Sequence, residues 1–156
     1  MKKILNNYTF EIIGATFCLG LGMLSGYLAH SGDTIWYQSL QKPDFNPPAW
    51  IFTPIWTILY GMMGIALGKI IKIKNNANLR HLFVIQFTCN IIWSYLFFRI
   101  HRIDLALIDL IILYLALFAL IIKSRKHTAI FWLLIPYFAW ITFAAILNLK
   151  IYFMNA

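Results

Sequence analysis

The sequence contains few charged residues: 13 of its 156 residues are Lys or Arg, and 5 are Asp or Glu. Charged residues make up 12% of the chain and hydrophobic residues 62%, whereas a soluble domain carries about 25% charged residues. A soluble chain of this length could not bury so much apolar surface. The composition therefore excludes a soluble globular domain and predicts an integral membrane protein with one domain over residues 1–156.

The sequence also lacks the common motifs of catalysis and metal binding. It contains no phosphate-binding glycine loop and no G-x-S-x-G, H-E-x-x-H or C-x-x-C. Its two cysteines, Cys18 and Cys89, lie within apolar segments and are interpreted as free thiols. His30 is isolated, and we interpret it as an interfacial side chain rather than a haem ligand. We therefore predict no metal site and no required cofactor.

Five apolar segments with almost no charge are long enough to cross a membrane. About 20 helical residues, each rising 1.5 Å, span a hydrocarbon core of roughly 30 Å. The first segment is too long for the apolar part of a secretory signal and has no clear cleavage site, so we interpret it as a membrane helix. The sequence thus predicts an all-α integral membrane protein, a five-transmembrane-helix bundle, with helices over about 8–30, 47–70, 79–99, 104–123 and 128–150.

The basic residues lie in short clusters between the apolar segments, although the net charge is +8. This distribution is typical of loops next to a membrane and not of a surface that binds nucleic acid. Nine Lys and Arg residues fall on one predicted side of the membrane and four on the other. Because cytoplasmic loops are enriched in Lys and Arg, we expect a cytoplasmic N-terminus, with the first loop and the C-terminus outside.

The first predicted loop, residues 31–46, is rich in proline and aromatic side chains. Proline fixes φ and removes a backbone donor, so this loop has few conformations available. Asn46 precedes the second helix, Asp104 the fourth and Thr128 the fifth, and each fits an N-cap. We predict that the loop forms a stiff lid over the bundle.

Aromatic and polar side chains recur at helical spacing on three of the predicted helices. Residues three or four positions apart share one face of a helix. The faces are Phe52, Trp56, Tyr60 and Met63 on the second helix, Asn90, Trp93 and Phe97 on the third, and Tyr137, Trp140, Ala144 and either Leu147 or Asn148 on the fifth. The indole N–H groups of Trp56, Trp93 and Trp140 lie deep within the predicted spans and need hydrogen-bond partners that lipid does not offer. These faces predict either interior packing or the wall of an apolar ligand pocket.

Three polar residues interrupt the predicted spans: Asn90, Asp109 and Asn148. The amides are interpreted as hydrogen-bonding groups between helices, and Asp109 as a residue that reaches interfacial water or pairs with Arg102. Two small-residue motifs, Gly22-x-x-x-Gly26 and Gly64-x-x-x-Gly68, fit either close packing within the bundle or a dimer face.

The aromatic motifs resemble those of the TspO/MBR family of tryptophan-rich sensory proteins, also called translocator proteins or peripheral-type benzodiazepine receptors. The resemblance rests on WYQSLQKPDFNPPAW followed by PIWTILYGMMGIA, on Asn90-x-x-Trp93-Ser94-x-Leu96-Phe97-Phe98, and on Leu134-x-Pro136-Tyr137-x-x-Trp140-x-x-Phe143-Ala144-x-x-Leu147-Asn148. It covers roughly residues 10–154, with the motifs in the family's order and spacing.

The resemblance implies a five-helix membrane bundle, often a homodimer, that binds porphyrins, haem-like tetrapyrroles or other planar hydrophobic molecules. It assigns the pocket to Trp36, Trp50, Trp56, Tyr60, Asn90, Trp93, Phe97, Tyr137, Trp140, Ala144 and Leu147. The function implied is a membrane receptor or carrier for porphyrin. The alternatives are an enzyme that degrades porphyrin in light, for which Trp56 and Trp140 are the candidate residues, and a regulatory, stress-sensing membrane subunit.

The chain departs from the family pattern at two points. Phe45 stands in the loop where many relatives have Trp, and no basic residue follows Tyr152, where animal members carry a cholesterol consensus. We therefore expect no tight sterol binding. The short tail and the lack of a targeting presequence predict a bacterial membrane protein.

Overall fold

A computed structural model describes residues 2–30 and 34–156 of the chain, and the side chains of residues 8–29 and 35–156. The described residues form six helices and no strand. The helices are α1 (Lys2–His30), α2 (Thr34–Ser39), α3 (Ala49–Lys72), α4 (Ala77–Phe98), α5 (Ile103–Ser124) and α6 (Thr128–Asn155). The side chain of His30 lies outside the described residues.

Five of these helices, all except α2, are long and apolar enough to cross a membrane. The predicted fold class, an all-α bundle of five transmembrane helices, is therefore confirmed. Around the bundle α1 packs against α3 and α4, α3 against α6, and α5 against both α4 and α6. The five spans thus form a closed ring in the order α1, α3, α6, α5, α4, and their inward faces share one apolar core.

Glycines set the close crossing of α1 and α3. A Cβ added at Gly64 would collide with the backbone of Gly14 and Ala15, and one added at Gly68 would collide with the backbone of Glu11. The motif Gly64-x-x-x-Gly68 therefore serves packing within the bundle, one of its two predicted uses. Near this crossing the Glu11 carboxylate, only 6% exposed, lies 2.6 Å from the Lys72 ammonium and 3.8 Å from that of Lys69.

The two glycines of the other motif have different surroundings. A Cβ added at Gly22 would collide with the ring of Tyr60, whereas one added at Gly26 would meet no atom within 4 Å. Gly22 therefore makes room on α1 for an aromatic side chain of α3. Gly26 is exposed on the bundle surface.

The predictions for the first loop and the helix caps are partly wrong. Residues 34–39, predicted as loop, form α2. The N-cap positions are Pro48 for α3, Arg102 for α5 and His127 for α6, without side-chain cap bonds. The Asp104 carboxylate cannot act as the predicted cap because it is paired with Arg102, at 2.6 and 2.8 Å. It lies instead in the first turn of α5, where a negative charge favours the helix dipole.

One end of the bundle carries α2, the proline-rich segment 40–48, the turn 99–102 and the C-terminus of α6, and we call it the loop end. Two contacts define it. The Trp36 ring stacks on the His101 ring with centroids 4.0 Å apart, and the Asn155 side chain hydrogen bonds to the backbone of Gln41. The loop end therefore joins the first loop to the turn 99–102 and to the C-terminal end of α6.

Candidate functional site

Aromatic side chains from α3 and α6 meet inside the bundle in what we call the Trp56 group: Phe52, Trp56, Tyr60, Tyr137 and Trp140. The Trp56 ring stacks on Tyr60 at a centroid distance of 5.3 Å and meets Trp140 edge to face at 6.4 Å. It also contacts Tyr137 at 6.4 Å, and Phe52 contacts Trp140 at 5.9 Å. The group therefore brings together five aromatic residues that the helical spacing placed on two inward faces.

Aromatic residues of α2 and α4 form a second set, the Trp93 group: Trp36, Tyr37, Trp93, Phe97 and Phe98. Trp93 stacks on Phe97 at 5.2 Å, and Trp36 meets Phe97 edge to face at 5.6 Å. Phe97 and Leu147 belong to one buried cluster, against which Trp36, Trp93 and Phe143 pack. The group thus connects the loop end to the interior faces of α4 and α6.

Asn90 of α4 bridges two tyrosines of the Trp56 group through buried hydrogen bonds. The Tyr60 hydroxyl donates to Asn90 Oδ1 at 2.6 Å, and Asn90 Nδ2 donates to the Tyr137 hydroxyl at 3.0 Å. The bridge connects α3, α4 and α6 in the bundle interior and confirms that Asn90 makes hydrogen bonds between helices. The amide of Asn90 and the hydroxyls of Tyr60 and Tyr137 therefore satisfy one another in this structure.

The predicted site residues are not all placed together. Trp50 is 73% exposed on α3, and within residues 35–156 it makes no ring contact. Ala144 is half-buried on α6, and Leu147 is buried beside Phe97. Two surface cavities of about 260 Å³ each lie between α5 and α6 and near the ends of α3 and α6. Their lining includes none of the predicted residues, because the aromatic side chains of the site pack on each other.

The loop end closes over the Trp93 group through α2 and the segment that follows it. The Lys42 ammonium lies 3.1 Å from the Leu40 carbonyl and 4.5 Å from the centre of the Tyr37 ring. The Tyr37 hydroxyl donates to Asn46 Oδ1 at 3.4 Å. Burial raises the pKa of the Tyr37 phenol, and the bond to Asn46 opposes this shift. Lys42 thus stabilises the C-terminal end of α2.

The structure reveals a polar contact that the spacing argument missed. The carboxyl group of Asp109 on α5 lies beside the thiol of Cys89 on α4. The predicted pairing of Asp109 with Arg102 is wrong, because Arg102 is held by Asp104. Cys89 is one residue before Asn90, so the same turn of α4 contacts α3, α5 and α6 through polar side chains.

The Asn155 side chain links the segment 40–48 to α6 by hydrogen bonds to the Gln41 backbone, and we call this contact the Asn155 latch. Its Oδ1 accepts from the Gln41 amide at 2.9 Å, and its Nδ2 donates to the Gln41 carbonyl at 2.9 Å and to Ile151 O at 2.7 Å. The short segment after α2 is thereby held on the end of the last span. No local pattern in the sequence predicts this pair, since 114 positions separate the partners.

We expect Asn155→Ala to release this latch without disturbing the spans. Loss of the bond of about 1 kcal/mol should speed hydrogen exchange at the Gln41 amide by roughly fivefold. Asn155→Asp keeps an acceptor for Gln41 N–H and should give a smaller increase. Exchange measured by mass spectrometry on peptides covering residues 40–48 checks this, and equal exchange in all three proteins would contradict the latch.

Comparison with known proteins agrees with this architecture. Residues 14–154 match the model of the TspO/MBR family. The chain is 35% identical to a Tryptophan-rich protein TspO of Archaeoglobus fulgidus, over 88% of this chain and 92% of that protein. It is 34% identical to a protein of the same name from Chlorobaculum tepidum, over 93% and 98%, and 34% identical to the Translocator protein of Bos taurus, over 90% and 87%. The aromatic five-helix bundle is thus a multi-pass membrane protein that belongs to the TspO/MBR family.

Proposed function

We propose that this protein is a membrane receptor or carrier that binds porphyrins and related planar hydrophobic molecules between α3, α4 and α6. The observation that carries the proposal is that the stacked rings of Trp56 and Tyr60 adjoin the Asn90 bridge, one turn from Trp93 on α4. Aromatic faces stack on flat apolar ligands, and a few polar groups orient them. The names of relatives, sensory and translocator proteins, agree with this class of function.

The route of entry follows from the packing of the loop end. The aromatic rings pack on each other, so a guest enters when the segment 34–48 moves and the rings separate. That segment is attached by the ring contacts of Trp36, Tyr37 and Phe45, by packing of Leu40, and by the Asn155 latch. These contacts are few compared with those of a span, and local opening is easiest where few contacts hold a segment. In the proposed orientation the loop end lies outside the cytoplasm.

Titration with protoporphyrin IX, followed by the absorbance of the porphyrin, tests the proposal. The double variant Trp56→Phe/Trp140→Phe loses two indole faces, and we expect its Kd to rise about tenfold. Trp132→Phe is the matched control, because Trp132 is 62% exposed on α6 and, among the described side chains, its ring contacts only that of Phe131. An unchanged Kd in the double variant, or an equal change in the control, would remove the Trp56 group from the site.

The alternative function, light-dependent degradation of porphyrin, is favoured by one observation. Trp56 and Trp140 are in edge-to-face contact at 6.4 Å, so both indoles would face the same bound ring. Illumination of the porphyrin complex distinguishes the two functions. Conversion to a defined product in the parent, lost in the double variant, indicates the enzyme, whereas bleaching equal to that of porphyrin in empty detergent indicates a receptor or carrier.

A further inference from the structure

Three spans bring buried polar atoms without partners to the half of the bundle next to the loop end. Within the described residues, no hydrogen-bond partner is found for Trp93 Nε1 on α4, Asp109 Oδ2 on α5, or either side-chain amide atom of Asn148 on α6. Asn148 is only 2% exposed. An unpaired polar group is costly in an apolar interior, and lipid offers it no hydrogen bond. The described part of the protein therefore leaves these buried atoms without hydrogen-bond partners.

The contacts between helices place the three side chains in one neighbourhood. The Asp109 carboxyl lies beside Cys89, which is one turn before Trp93 on α4. Trp93 packs against the buried cluster that contains Ala106 and Leu147. Ala106 lies one turn from Asp109 on α5, and Leu147 is adjacent to Asn148 on α6.

The direction of each helix determines which way its side chains lean along the bundle axis. Side chains lean toward the N-terminus of their own helix. Because α5 runs antiparallel to α4 and α6, Asp109 leans toward the loop end while Trp93 and Asn148 lean away from it. Asp109 therefore leans in the opposite sense along the bundle axis to Trp93 and Asn148.

The donors and acceptors of these three side chains determine which ligands can bind beside them. A carboxylate only accepts hydrogen bonds, an indole N–H only donates, and an amide does both. Asp109 Oδ2 and Asn148 Oδ1 thus require a donor, whereas Trp93 Nε1 and Asn148 Nδ2 require an acceptor. A guest that carries an N–H group on its edge supplies that donor, whereas a lipid chain or an aromatic ether does not.

We propose that Asp109 and Asn148, with Trp93 beside them, form a polar subsite that selects planar aromatic ligands with an N–H donor on the edge of the ring system. The ligand class is that of pyrrole-, indole- or lactam-type heterocycles. The inference rests on the proposed binding of planar hydrophobic molecules and adds the polar group by which one such molecule is preferred to another.

Carbazole and dibenzofuran are the test ligands, because they share a flat tricyclic shape and differ at the edge in N–H against O. Binding to the full chain in detergent is measured by ligand fluorescence, after subtraction of partition into empty micelles. We expect the parent protein to bind carbazole about tenfold more tightly than dibenzofuran, since the carboxylate accepts a charge-assisted hydrogen bond from carbazole alone. Affinities within twofold of each other in the parent would overturn the proposal without any variant.

Substitutions at Asp109 and Asn148 test whether these residues cause the preference for carbazole over dibenzofuran. Asp109→Leu and Asn148→Leu should each reduce the carbazole preference to within about threefold, while Asp109→Asn retains an acceptor and most of the preference. The matched control is Gln86→Leu, because Gln86 on α4 is 0% exposed and both of its amide atoms are likewise unpartnered within residues 8–29 and 35–156. An unchanged preference in both test variants, or an equal loss in the control, would overturn the assignment.

The outcomes separate this inference from the proposed function. If protoporphyrin IX binds while carbazole and dibenzofuran bind equally, the subsite is wrong and the receptor function stands. If the parent binds none of the three ligands, the receptor function is wrong, and the subsite is overturned with it.

Discussion

Gly64→Ala is expected to destabilise the bundle, although alanine is the better helix former. The added methyl group would collide with the backbone of Gly14 and Ala15 on α1, and a backbone cannot move aside as a side-chain end can. Forcing an extra carbon into such a contact costs about 1–3 kcal/mol. Alanine returns up to about 1 kcal/mol through helix propensity, so the net loss should be about 2 kcal/mol.

The matched control for this substitution is Gly61→Ala, one turn earlier on α3. A Cβ at Gly61 would meet no atom within 4 Å, so only the propensity gain of a few tenths to about 1 kcal/mol applies. Unfolding of the detergent-solubilised protein, followed by circular dichroism, measures both. We expect Tm to fall by about 4–8 °C for Gly64→Ala and to stay level or rise for Gly61→Ala. A fall of the same size in both variants would show that α1 and α3 do not cross as described.

The sequence could predict the five spans and the inward aromatic faces. A span needs a long apolar segment, and that requirement is local, so composition alone identifies it. The spacing of Trp56 with Tyr60 and of Trp93 with Phe97 follows the period of the helix, and both pairs are stacked in the structure. These features depend on the geometry of one helix at a time.

The features that sequence missed depend on partners that are distant along the chain. α2 has six residues, too few for a helix to be stable alone, and it forms where Trp36 docks on His101 and Phe97. Asp109 lies beside Cys89 where α4 and α5 pack together, while Arg102 pairs with Asp104. Spacing alone could not choose between these partners, and it also could not show that Trp50 is exposed while Trp56, on the same helix, packs inward.

Asn90→Leu is expected to be the most destabilising single change inside the candidate site. It removes both hydrogen bonds of the bridge and leaves the hydroxyls of Tyr60 and Tyr137 buried without their partner. Each unsatisfied buried group costs about 1–3 kcal/mol, although interhelical bonds measured in membranes average about 0.6 kcal/mol. We therefore expect a loss of about 2–3 kcal/mol in the free energy of unfolding, with Asn78→Leu on the exposed face of α4 as control.

The triple variant Asn90→Leu/Tyr60→Phe/Tyr137→Phe separates the bridge from simple packing. Replacing every member of a buried polar set by apolar groups of similar shape leaves nothing unsatisfied, and such replacements are close to neutral. The triple variant should therefore be more stable than Asn90→Leu alone by at least about 1 kcal/mol, which is a non-additivity that only coupled residues produce. Unfolding of the parent, the three single variants and the triple variant in one detergent measures it. If the triple variant instead loses the sum of the single losses, the three side chains act independently, and the bridge is not what holds α3, α4 and α6 in register.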